Sequence, residues 1–145
     1  MLLNYLAFGF ISDVATGSVD VGTPASRTIE LRNANQTVAV TLDPYDVKDF
    51  VCDLSPQLDE NDSFEAITFE VTSEAAALGF EVLTGEKGPL ELDGNRLQFW
   101  VAVDPAKQDS NKFNGQGSLC GIEFRTLSVK GRKAERTANF RVSQQ

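Results

Sequence analysis

The chain has 145 residues, a formal net charge of −8 and no histidine. Its length fits one domain with a substantial core, and its 41% apolar and 23% charged residues are those of a globular protein rather than a disordered chain. The acidic balance disfavours nucleic acid and anionic membrane surfaces as partners. The missing histidine removes Ser-His-Asp and Cys-His catalysis and His-based zinc sites from one chain.

Residues 1–26 differ from the rest. Met1, Leu2 and Leu3 are followed by Asn4 and then by Tyr5, Leu6, Ala7, Phe8, Gly9, Phe10 and Ile11. This run is too short to span a bilayer, which takes about 20 residues. The first basic residue is Arg27, so no signal peptide is read and the chain is expected to fold in a cytoplasm. An apolar stretch of this kind must be covered. Two readings stand: a first strand of the domain core, or an arm that docks on a neighbouring subunit. On the second, Leu2, Leu3, Tyr5, Phe8 and Phe10 are the contact residues.

The body of the domain is expected over residues 27–145. From Thr28 onward the apolar residues recur with a period of two, which marks strands with one buried face. Ile29 and Leu31 face inward, and Asn33, Ala34 and Asn35 form a turn. Val38, Val40 and Leu42 make a second strand that Pro44 ends. Phe50, Cys52 and Leu54 make a third face opposite Asp49 and Asp53. A loop through Pro56 and the acidic residues 59–63 leads to Ile67, Phe69 and Val71. Glu74 to Ala77 has room only for a helical turn. Leu78, Phe80 and Val82 continue the alternation. Residues 85–88 and 93–95 are turns flanking Leu90 and Leu92. Leu97, Phe99, Val101 and Val103 share a face, with Trp100 on the other.

Residues 105–117 are polar and read as a long surface loop of the kind that carries contacts. Trp100 and Phe113 are the candidate exposed aromatics of the body. Cys120, Ile122 and Phe124 form a buried face, Gly131 marks a hairpin turn, and Ala138, Phe140 and Val142 close the domain. About eight short strands between Gly, Asn and Pro turns predict an all-β sandwich. The two cysteines, Cys52 and Cys120, are expected as buried thiols, with a single disulfide as the alternative.

Three charged groups invite a functional reading. Asp59, Asn61, Ser63 and Glu70 stand at calcium-loop spacing, but Phe64 occupies the glycine position, so a solvated loop is expected. Asp43, Asp46, Asp49 and Asp53 either pair with a neighbouring subunit or form a charged edge that discourages aggregation. Arg125, Lys130, Arg132, Lys133, Arg136 and Arg141 make the close of the chain basic. That asymmetry suits head-to-tail contact between copies, against the plainer reading of a solvated hairpin. No catalytic, cofactor or metal-binding set is singled out, and an enzyme is not expected.

From Asp46 onward the chain resembles a known family. The segment Asp46-Val47-Lys48-Asp49-Phe50-Val51-Cys52-Asp53-Leu54 is similar to the opening strand of the fibre-tail adaptor proteins of tailed bacteriophages, with Leu54 where that family usually has Trp. Ile67 to Thr72 and Phe99-Trp100-Val101 resemble its second and middle strands. The closing stretch is the strongest match: Gly121 to Thr126, the Gly131-Arg132 turn, then Glu135-Arg136-Thr137 and Phe140-Arg141-Val142. Residues 1–45 have no counterpart in it, and residues 105–117 are longer than its pattern. The resemblance implies an immunoglobulin-like sandwich in the virion, at the tail or neck. There it would bind tail fibres, other virion proteins and copies of itself in a ring, without a cofactor. A capsid decoration or cement protein is the alternative. A carbohydrate-binding or adhesion module built around Trp100 and residues 105–117 is a third reading.

Overall fold

A computed structural model describes residues 27–145. The candidate contacts Leu2, Leu3, Tyr5, Phe8 and Phe10, and the choice between arm and first strand, lie outside those residues. The described chain forms β1 (Thr28–Glu30), β2 (Asn35–Thr37), β3 (Lys48–Asp53), β4 (Phe64–Val71), α1 (Ser73–Ala77), β5 (Phe80–Val82), β6 (Leu90–Glu91), β7 (Arg96–Val103), β8 (Ser118–Ser128) and β9 (Lys133–Val142). Two mixed sheets pack face to face. Sheet I has the order β1-β3-β7-β5, with β6 also paired to β7, and sheet II has the order β2-β9-β8-β4. The expected all-β sandwich is present.

The alternation read in the sequence decides which side chains meet between the sheets. Phe50, Cys52 and Leu54 from β3 and its end, and Leu97, Phe99, Val101 and Val103 from β7, are buried on the inner face of sheet I. Ile67, Phe69 and Val71 of β4, Cys120, Ile122 and Phe124 of β8, and Ala138, Phe140 and Val142 of β9 face them from sheet II. Aromatic rings join the layers. Phe140 stands 4.9 Å from Phe50 in an edge-on contact and 5.7 Å from Phe80, while Phe99 is 6.0 Å from Phe124. Edge-on and tilted pairs of this kind add to the energy of burial itself.

Sheet II is built around the β8–β9 hairpin, paired without interruption from Ser118↔Val142 to Leu127↔Lys133. Gly131, at φ +88°, closes the turn in a conformation that an L side chain resists. The short helix α1 starts where the Thr72 hydroxyl accepts a hydrogen bond from the Ala75 N–H at 3.3 Å. It stops at Gly79, at φ +91°, and hands the chain from sheet II to sheet I.

Two sequence expectations change, at residues 38–42 and 33–35. The run from Val38 to Leu42 is not a continuous strand. β2 pairs in parallel with β9 over Asn35–Thr37, two extra residues then loop out, and pairing resumes only at Leu42↔Val142. The inward pattern survives because Val38 and Leu42 still reach the core. The expected turn at Asn33-Ala34-Asn35 is a bend at residues 33 and 34, where the chain crosses from sheet I to sheet II. Leu90 and Leu92 do not join the main core but cluster with Val51 on the outside of sheet I. Among the described residues, no helix is long and apolar enough to cross a membrane.

Candidate interaction surface

The charged groups singled out in the sequence are consumed largely within the chain. In the acidic loop, Asp59 pairs with Arg132. Asp62 Oδ1 accepts from the N–H groups of Ser63 at 2.9 Å and Lys130 at 3.1 Å, and Lys130 Nζ donates to the Glu60 carbonyl at 3.1 Å. The loop therefore holds the tip of the β8–β9 hairpin. Glu70 lies apart on β4, 3.8 Å from Arg125. Among the described residues, no three His, Cys, Asp or Glu side chains are grouped to hold a metal ion.

The aspartates behave in the same way. Asp43 accepts from the N–H of Tyr45 at 2.9 Å and of Gln145 at 2.8 Å. Asp46 accepts from the Asp43 N–H at 2.8 Å, and Asp53 from the Ser55 N–H at 2.9 Å. Asp49 meets Arg27 at 3.4 Å and Gln98 Nε2 at 2.9 Å. They brace loops and strand ends.

The closing basic residues are interleaved with acids. Arg125 sits 2.7 Å from Glu123 and 2.8 Å from Glu135, which raises the guanidinium pKa further; the Glu135 hydrogen bond is the largest cause. Arg141 Nη1 donates to the Gln116 carbonyl at 2.7 Å.

Both cysteines are buried and free. Cys52 lies near the end of β3 and Cys120 near the start of β8, toward opposite ends of the sandwich. Burial pushes the Cys120 thiol up to about 12 and raises the Cys52 thiol well above its ordinary value. Both thiols therefore stay protonated at neutral pH, the opposite of what a nucleophile needs.

The two body aromatics require correction. Phe113 was expected on the surface and is fully buried, with 0% exposure. Residues 105–117 are not a free loop. They contain two 3₁₀ turns, Pro105–Lys107 and Asn111–Phe113, and the second drives the Phe113 ring into the core. Trp100 was expected to be exposed and is half-buried on the outer face of β7, with Lys87 Nζ 4.3 Å from its ring centroid. That cation covers part of the ring. A polar run with one aromatic gave no signal for an inward anchor.

One end of the sandwich is knitted into a single surface. The Gln144 N–H donates to the Phe113 carbonyl at 2.8 Å, Gln144 Nε2 to the Gln108 carbonyl at 3.1 Å, and the Ser143 hydroxyl to the Gly115 carbonyl at 2.6 Å. The Tyr45 hydroxyl donates to Asp109, joining residues 43–47 to the same end. The exposed apolar residues Tyr45 (56%) and Val47 (48%) were missed in the sequence. Both stand before the alternation of β3 begins.

The flanks of the sandwich differ. On one, β1 and β2 come from a continuous stretch of chain and edge both sheets. On the other, β5 and β4 are edge strands with no further strand beside them among the described residues. A groove of about 500 Å³ follows β5 there, walled by Val71, Ala76, Phe80, Val82, Leu83 and Lys107. No family model matches the chain, and no curated protein matches it.

Proposed function

We propose that the chain is a non-catalytic virion protein of a tailed bacteriophage, an immunoglobulin-like adaptor that attaches tail fibres to the tail or neck by protein–protein binding. The observation that carries this reading is where the resembling segments fall. They lie on β3, β4, β7 and the β8–β9 hairpin, which are the central and neighbouring strands of both sheets. The strand order supports the immunoglobulin-like part. β1-β3-β7-β5 follows the A-B-E-D order of such domains, and β4-β8-β9 follows C-F-G. The departure is at the start, where β1 runs parallel to β3.

Binding is the chemistry that the described surface favours. Its aspartates brace loops and strand ends, whereas Tyr45 and Val47 present apolar area beside a loop fixed at several points. A preformed surface loses little entropy on docking. The partners are other virion proteins and further copies of the chain, arranged in a ring.

Tagging the protein and imaging intact particles tests the assignment. Label at the tail or neck, and fibreless particles when the gene is disrupted, are the expected results. Label on the head would replace the adaptor role with capsid decoration. Loss of label from the particle altogether would remove a virion role.

A further inference from the structure

The edge of β5, uncovered by any strand among the described residues, is shaped to accept one more. The Asp104 N–H donates to the Gly79 carbonyl at 2.8 Å and the Leu83 N–H to the Trp100 carbonyl at 2.9 Å. Hydrogen-bonded pairs alternate along an antiparallel ladder, so Glu81 is bonded toward β7. The N–H and C=O groups of Phe80 and Val82 then point the other way, into the groove of about 500 Å³. The groove has the size of a ligand pocket, and its walls include Val71 from the facing sheet. A strand laid there would gain main-chain bonds from β5 and would place alternate side chains between the two sheets.

The sequence supplies a matching strand. Leu6, Phe8 and Phe10 are large and apolar at every second position, with the small Ala7 and Gly9 between them. In an extended chain the three large side chains share one face. Residues 1–11 carry no charged side chain, so Glu81 and Asp104 beside the groove meet no like charge. The described chain begins at Arg27, next to β1, and β1 is the opposite edge of sheet I from β5. Residues 11–26 can span roughly 50 Å when extended, enough to reach a neighbour.

We propose that residues 6–10 of one copy add as a strand to the β5 edge of the next copy, with Leu6, Phe8 and Phe10 in the groove beside Val71, Phe80 and Val82. The described chain starts at one edge of the sheet and the acceptor is the other edge, so passing the segment to a neighbour makes a head-to-tail contact that propagates until it closes into a ring. This deepens the ring of the proposed adaptor and rests on that reading for its place in the particle, although strand addition itself belongs to the purified chain.

Two full-length variants test it. Phe8→Asp spoils the donor. Ala76→Arg blocks the acceptor from an exposed position of α1, where folding does not depend on the side chain. Wild-type protein is expected to associate with rising concentration in sedimentation, with exchange of the Phe80 and Val82 amides slowed about tenfold or more. Each variant alone is expected to stay monomeric. Their mixture is expected to stop at a one-to-one dimer, formed by the intact donor of Ala76→Arg and the intact acceptor of Phe8→Asp. A mixture that stays monomeric, or Phe80 and Val82 amides protected equally in a monomer, overturns the proposal. Either failure leaves the adaptor reading standing, because that is judged by position in the particle. Label on the head would in turn end the adaptor reading without touching strand exchange.

Discussion

Phe113 shows how one side chain can govern a segment. It belongs to a stretch rich in Asn, Lys, Gln and Gly, yet its ring is fully buried and its carbonyl receives the C-terminal tail. Phe113→Ala should cost about 3–5 kcal/mol in chemical denaturation, the range for removing a buried aromatic. Glu91 works against the fold. It is 7% exposed, and among the described residues its Oε1 has no hydrogen-bond partner. Burial, then the charge of Asp93, raises its carboxyl above the ordinary 4.5. The folded protein thus holds this proton more tightly than the unfolded chain does. Stability from this group is present at acidic pH and is lost as pH climbs through the window above 4.5. Glu91→Gln should raise the urea midpoint at neutral pH and flatten its slope with pH in that window. The sequence announced neither residue: an isolated aromatic in a polar run and an acid between two leucines both look solvated.

Strands with strict alternation were legible as elements. β4, β7, β8 and β9 bury the residues expected of them, because a pleated strand between two sheets leaves each side chain only two directions. The stretch after β2 was less legible, since the pattern of Val38, Val40 and Leu42 conceals a two-residue bulge that only pairing with β9 reveals. Close contact between elements was invisible as well. Gly117 sits at φ +71°, where an added Cβ would come within 1.9 Å of the Val142 carbonyl oxygen. Gly117→Ala should therefore destabilise by more than about 3 kcal/mol in thermal or denaturant unfolding, because the obstructing atom is backbone and the φ is strained. Arg125 gives the contrast. It touches three glutamates but is half exposed, and Arg125→Met should barely lower the denaturant midpoint, a loss that shrinks further as salt is added.

At the scale of the molecule, one core joins both sheets through Phe50, Phe99, Phe124 and Phe140. Circular dichroism and the fluorescence of Trp100, the only tryptophan, should therefore report a single coincident unfolding transition for the domain. Separate midpoints would mean that the sheets melt independently. The split opening of the chain bears on load. β2 runs parallel to β9, joined by hydrogen bonds from the Val38 N–H to Asn139 at 2.8 Å, from the Leu42 N–H to Arg141 at 2.9 Å and from the Ser143 N–H to Leu42 at 2.8 Å. Tension entering ahead of β1 and leaving after β9 pulls two parallel strands lengthwise in opposite senses. These bonds are then sheared together instead of being peeled one by one, and rupture requires all of them to yield at once. Such a joint withstands traction along its strands far better than a hairpin drawn open from its ends.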